Sequence, residues 1–244
     1  MARSGAPAAI RRTSLAEIAA WTPWLGAEWP AVPAAHVTTL MTTATWRQAL
    51  AALVRGCELR GDGTPLLDLV DPLLDRLGWT APDRDQPARQ RLRTLAGAVS
   101  ARLSGPTALR PAARALAARL DGTLDRAAVD LVAHAVDWTR PEAAHDDLRG
   151  VAARTGPYVT TAVDGLAAGL LPRLARLYGT TVRTALRALA ETDAVGAAVA
   201  VGLVARAGAA ENWTPPWRAA LADLREHPDR RVRGDARDVV IDPE

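Results

Sequence analysis

The chain has no lysine and no phenylalanine, almost no asparagine or isoleucine, and a single cysteine, Cys57, in 244 residues. Each absence removes a class of function. A Gly-rich loop that cradles phosphates needs a lysine and a strand leading into it, and Gly61-Asp62-Gly63 has neither. One cysteine allows no internal disulfide and no paired-cysteine metal site, which fits a reducing compartment. The neighbours of Cys57, Gly56 and Glu58, supply no charge that would stabilise a thiolate, so a buried or inert thiol is expected. No Gly-x-Ser-x-Gly nucleophile elbow occurs.

Long apolar runs are missing as well. Residues 1–21 carry Arg3, Arg11, Arg12 and Glu17 in place of a continuous apolar stretch, so no secretory leader is expected. The run 194–205 is too short to span a bilayer. The expectation is a cytoplasmic protein without a membrane partner.

What is present is arginine, alanine, leucine and tryptophan. All 30 basic residues are arginine, set against 27 acidic ones for a net charge of +3. The isoelectric point near 9.9 reflects the high pKa of arginine rather than a strong field. Arginine in place of lysine tracks G- and C-rich codons. With 49% hydrophobic and 23% charged residues, the chain is a globular one with enough apolar side chains for a substantial core.

The apolar residues recur every three or four positions, with Ser, Thr or Asp before each run and Gly or Pro after it, so the fold expected is all-α. Ser14 and Glu17 form a capping-box pattern before a short helix that Pro23 ends. Residues 24–43, rich in Trp, Pro and Thr, read as an ordered loop with at most one helical turn, and 1–43 as an N-terminal capping segment. A helix over 44–55 buries Trp46, Leu50, Leu53 and Val54 and closes on Gly56. The next, over 64–77, is expected to kink or split at Asp71-Pro72. Residues 80–87 read as a connection and a possible subdivision of a helical repeat-like domain over 44–244. Further helices are expected over 88–103, 108–120, 124–138, 141–154, 157–178 with a bend at Pro172, 181–191, 194–207, 216–226 and 229–240. Short connections between the last four imply antiparallel neighbours.

Asp229-Arg230-Arg231-Val232-Arg233-Gly234-Asp235-Ala236 resembles the start of the second helix of a HEAT repeat, and 217–224 is similar to that repeat's first helix. The pattern has a physical reading: Asp229 caps the helix, Val232 and Ala236 face its partner, and Arg233 reaches acids or carbonyls of an adjacent repeat. Thr181-Val182-Arg183 echoes the Val-Arg element without the Asp. The resemblance implies antiparallel helical hairpins stacked as an α-solenoid; the alternative is an irregular helical bundle.

Chemistry-bearing residues gather in one place, His134, Asp137, His145 and Asp146, where a divalent metal or acid–base catalysis would be the functional reading. Carboxylates in the first turns of a helix that begins at Pro141, complementing its dipole, are the structural one. Asp68, Asp71 and Asp75 likewise suit either a metal-diphosphate site or a solvated helix face. Trp21, Trp24 and Trp29 suit a groove lining or an apolar cap. The densest basic region holds Trp213, Trp217, Arg218, Arg230, Arg231, Arg233 and Arg237, a combination that stacks bases and neutralises phosphates or binds acidic protein segments. Interleaved Glu211, Asp223, Glu226, Asp229, Asp235 and Asp238 offset that charge.

These readings favour a non-enzymatic interaction module with a protein partner and no cofactor. Two alternatives stand beside it: a nucleic-acid-binding protein similar to the DNA glycosylases built from HEAT-like repeats, and an all-helical small-molecule enzyme or binding protein.

Overall fold

Local signals mark several of the helix ends: proline in a first turn, a left-handed glycine cap and two aspartate N-caps. The computed structural model describes residues 17, 26, 28–38, 45–77, 82–103, 108–176 and 179–241. The described residues are all-helical, with twelve α-helices, one 3-10 helix and no strand. Met1–Ala127 and Ala128–Glu244 form two separate units. The capping box at Ser14, and Trp21, Trp24 and Trp79, lie outside the described residues.

In the first unit lie α1 (Ala31–Thr38), α2 (Trp46–Arg60), α3 (Thr64–Leu74), α4 (Pro82–Ser100) and α5 (Arg110–Leu120). The stretch expected as a loop thus contains the two turns of α1, and Trp29, just before it, is buried. Helix α2 runs past Gly56 and ends at Gly61, whose φ of 67° is left-handed. The amides of Gly61 and Asp62 donate to the carbonyls of Glu58 and Cys57, a Schellman cap. The extension has a reason: Cys57 is fully buried and continues the apolar face of Leu50, Leu53 and Val54. Burial, with Asp62 adding its charge, pushes the Cys57 thiol up to about 12, which leaves it a packing group rather than a nucleophile.

Helix α3 opens on Thr64 with Gly63 at its N-cap, and the Asp62 side chain accepts the Thr64 amide at 2.9 Å. It runs through Pro72 without splitting and ends at Leu74. Residues 82–87, expected as a connection, are the first turns of α4, consistent with the preference for proline at a first helical position. Arginines stitch this unit through backbone carbonyls. Arg76 and the buried Arg91 donate to the last carbonyls of α1, Thr38 and Val37, at 2.9 and 2.5 Å, while Arg91 and Arg47 both lie over the ring of Trp46.

Helix α6 (Asp125–His134) crosses the border between the units. The second unit continues with α7 (Pro141–Thr155), α8 (Val159–Leu170), a 3-10 helix (Leu171–Arg176), α9 (Gly179–Ala190), α10 (Ala194–Ala210), α11 (Pro215–Arg225) and α12 (Arg230–Asp238). Pro172 has no amide to continue the α-helical ladder, and the expected long helix over 157–178 accordingly tightens to 3-10 at Leu171. Arg173, in that turn, donates to the Gly169 carbonyl. Expected core residues Leu148, Val151, Val163, Leu166 and Leu170 are buried in one cluster with the apolar faces of α9 to α12.

The packing in this unit follows two series. Helix α7 packs on α9 and α9 on α11; α8 packs on α10 and α10 on α12. Across the two series, α10 packs on α7, α9 and α11, and α11 on α12. Glycine permits a close approach between α8 and α10, since a Cβ on Gly202 would lie 2.8 Å from Val163 Cγ2. Between α9 and α11, Arg183 binds Asp223 through both guanidinium and carboxylate edges, one of the two bonds at 2.6 Å.

Hydrogen bonding to Arg183 holds the Asp223 carboxyl below the usual carboxylate range. The lowered value means that the ionised form favours the folded state. Its contribution is therefore complete above the ordinary carboxylate pKa, about 4, and is lost as pH falls through the lower folded value. Asp223→Asn should lower the thermal midpoint modestly at pH 7 and flatten its decline in acid, so that variant and parent converge at low pH. Thermal melts followed by circular dichroism across an acid series check this; parallel curves at all pH values would show that the pair contributes nothing. The effect stays small because Arg183 is solvent-exposed.

Candidate functional site

Of the residues that suggested catalysis, His134 and Asp137 are held by local hydrogen bonds. His134 is half-buried, with Nδ1 2.9 Å from the Asp130 carbonyl and 3.4 Å from that residue's carboxylate. Its ring covers Gly165 of α8. Asp137 accepts from the amide and hydroxyl of Thr139, at 3.2 and 2.5 Å, and from Arg140 at 3.1 Å, closing the turn into α7. The Asp137 amide donates to Asp147 rather than Asp146. This turn ends α6 at His134, short of the expected 138. His145 is half-buried and Asp146 exposed. His134, Asp137, His145 and Asp146 are thus divided between two ends of a helical corner, and no group of three or more metal-ligating side chains occurs among the described residues. Asp68, Asp71 and Asp75 are all exposed along α3, with Asp71 3.1 Å from Arg119.

The Trp–Arg region separates into an inside and an outside. Trp213 and Trp217 are core residues, 8% and 5% exposed, so they offer no stacking platform. The reason is a second Schellman cap: the Asn212 amide donates to the Ala209 carbonyl and that of Trp213 to Gly208, turning the indole back onto α10. Asn212 and Trp213 both take left-handed φ values, 50° and 51°. Arg218, Arg230, Arg231 and Arg237 remain exposed. Arg233 turns inward and donates to the carbonyls of His227 and Pro228, at 2.7 and 2.6 Å, bracing the turn before its own helix. Arg183, not Arg233, is the arginine that reaches an acid of a neighbouring helix, Asp223 of α11.

A concave recess of about 510 Å³ lies where the turn before α10 meets the turn before α12. Both turns are built by an aspartate cap. Asp193 accepts the Gly196 amide at 2.7 Å, and Asp229 accepts those of Arg231 and Val232 at 2.7 and 3.4 Å. The two amides, Arg231 first, hold the Asp229 carboxyl below its usual range, so it is ionised at neutral pH. Glu191 and Asp235 complete four carboxylates against a single lining guanidinium, that of Arg231. Glu191 also meets Arg187 at 3.3 Å, on a largely exposed face.

His227 lines the same recess and is 9% exposed. Its Nδ1 accepts the Asp229 amide at 3.1 Å. That bond fixes the neutral tautomer with the proton on Nε2, and Nε2 is buried without a hydrogen-bond partner. Of this site the sequence marked Arg231 and the Asp229 cap. It gave no local sign that His227 and the 191–193 turn would join them, because the two turns are brought together by the α10–α12 contact. Comparison with family models, with curated proteins and with solved structures returns no match to this chain.

Proposed function

We propose that residues 128–244 form stacked antiparallel helical hairpins of HEAT-like kind and serve as a non-enzymatic module that binds a protein partner. The observation that carries this reading is the two-series packing, α7–α9–α11 beside α8–α10–α12. A stack of hairpins has that pattern, with first helices on first helices and second on second, and leaves its turns in register along an edge where a partner can dock. The HEAT-like segment agrees in detail: Asp229 caps α12, and Val232 and Ala236 are buried against the rest of the unit. The Val182-Arg183 echo sits on a first helix while the Val232-Arg233 element sits on a second, so the two are not successive copies of one repeat unit. The local hydrogen bonding of His134 and Asp137 supports structural rather than catalytic roles for them. Burial of Trp213 and Trp217, with carboxylates lining the neighbouring recess, weighs for protein over nucleic acid.

The test is photocrosslinking in the native cells, with a benzophenone amino acid placed at Arg231 on the recess or at the exposed Ala153 of α7. A discrete protein adduct from position 231 alone, reproduced with the purified partner, is the expected result. No adduct, equal adducts from both positions, or a nuclease-sensitive adduct would overturn the proposal.

A further inference from the structure

We infer that α2 and α4, side by side in the first unit, present an arginine face that takes the phosphate backbone of a nucleic-acid duplex. The inference concerns Met1–Ala127 alone and stands apart from the protein-partner reading of the second unit.

Three observations carry it. The first is a one-sided charge. Residues 45–60 and 86–103 hold seven arginines and one acid, Glu58, although the net charge of the whole chain is only +3. The rest of the chain is therefore net acidic. The nearest acids in sequence, Asp62, Asp83 and Asp85, lie beyond the ends of both stretches. The Trp–Arg region over 213–237 lacks this property, because carboxylates alternate with its arginines.

The second is that packing brings these arginines to one exposed side. Arg91 lies 5.3 Å from the centre of the Trp46 ring and Arg102, just past the end of α4, 3.3 Å from Glu58, so α2 and residues 91–102 run alongside each other in the same direction. Leu50 and Leu53 of one and Leu92 and Leu95 of the other are buried. Away from them, Arg47, Ala51 and Arg55 on α2 and Arg93, Gly97 and Ala101 on α4 are exposed, as is Arg102. Arg47 and Arg93 meet no carboxylate among the described residues, and Arg47 is steadied over the Trp46 ring at 5.1 Å. Arg55 and Arg102 share the single carboxylate of Glu58, at 2.6 and 3.3 Å, which leaves the face with an excess of positive charge. Arg47 and Arg55 are about 12 Å apart along the helix axis, a spacing that reaches successive phosphates rather than one.

The third is what stands between the arginines. Ala51, Gly97 and Ala101 keep the surface low, and a Cβ on Gly97 would meet nothing within 4 Å. Trp46 is buried, and among the described residues of α2 and α4 only Leu59, in the last turn of α2, exposes a large apolar side chain. A protein partner would need a central apolar or aromatic anchor, and an unpaired strand an aromatic platform for its bases. Exposed arginines with Gln48 and Gln90 beside them instead match the side chains that hold phosphate and sugar without reading sequence.

The experiment is fluorescence anisotropy of the full chain with labelled duplexes of about 20 base pairs, one DNA and one RNA, from about 50 to 200 mM salt. At least one duplex should bind with a Kd on the order of 10 μM at the lowest salt, and log K should fall against log salt with a slope of about −3 to −4, as about four phosphate contacts require. Arg93→Gln, a change at an exposed side chain, should reduce that slope by about one. Arg47→Gln combined with it should reduce the slope by about two and weaken binding about tenfold or more at the lowest salt. Glu58→Gln removes the opposing charge and should tighten binding about two- to threefold, a gain that no loss of folding can imitate. Arg126→Gln with Arg149→Gln takes the same charge from exposed positions on α6 and α7 and should leave the slope unchanged. Silence with both duplexes, an equal loss from the Arg126 and Arg149 pair, or no gain from Glu58→Gln overturns the inference. So does tighter binding of the single strand, or of a polyglutamate peptide of equal charge.

Discussion

Trp213→Ala should cost about 3 kcal/mol of stability in the second unit, out of the 3–5 typical of a buried tryptophan. The side chain is 8% exposed and belongs to the same cluster as Leu203, Val204 and Leu221. It lies so close on α10 that a Cβ added at Gly208 would fall 2.5 Å from its ring. Removing the indole therefore opens a cavity at the end of α10 and frees the cap that directs the chain into α11. The estimate sits at the low end because the left-handed conformation at position 213 is unfavourable for a bulky side chain, and alanine carries less of that penalty. Urea unfolding followed by far-ultraviolet circular dichroism measures the loss; with two units in the chain, it is sought in the transition of the second. The competing expectation, a tryptophan on a binding surface, predicts a stability change within about 0.5 kcal/mol. That result would remove Trp213 from the core.

This contrast marks where sequence reasoning reaches its limit. Features determined within one or two helical turns were legible. Asp229 before Val232 reads as a cap, and it is one; Trp46, Leu50, Leu53 and Val54 share a face by periodicity and are buried. A choice between two equivalent local signals was not legible. Gly56 and Gly61 both suit a helix end, and the burial of Cys57 beyond Gly56 selects the second. Nor does composition distinguish an aromatic platform from an aromatic plug. Trp213-Thr214-Pro215-Pro216-Trp217 would read the same on a surface, and only the return of the chain onto Gly208 decides it.

The candidate site shows the same limit at longer range. His134, Asp137, His145 and Asp146 are close in sequence, but His134 and Asp137 are satisfied by the nearest turn, which is what short-range proximity of polar residues ordinarily provides, and Asp146 is exposed. Asp193 and Asp229 belong to turns separated by two helices. What joins them is the packing of α10 on α12, a tertiary contact between apolar faces that carry no mark of the polar turns above them.

The corresponding test of the first unit is Gly63→Ala, which should destabilise it by about 2 kcal/mol, within the 1–3 typical of overpacking. The backbone at Gly63, with φ −92° and ψ 0°, is open to any residue, so the cost is one of space. A Cβ there would lie 2.2 Å from Ala112 Cβ, where carbon atoms in contact need about 3.5–4.0 Å. Both atoms are rigidly attached to backbone, and no rotamer change separates them. The start of α3 must instead move away from α5, against the pull of Arg119, which donates to the Leu67 carbonyl at 2.5 Å and pairs with Asp71. Ala112→Gly supplies the control. It removes the obstructing atom and leaves the next nearest, Ala112 Cα, at an ordinary 3.6 Å. Alone it costs about 1 kcal/mol in helix propensity. Combined with Gly63→Ala it should be less destabilising than the two losses added, by about 1–2 kcal/mol in a double-mutant cycle. Additive losses in guanidinium unfolding, or a Gly63→Ala chain as stable as the parent, would show that α3 and α5 do not meet at this point.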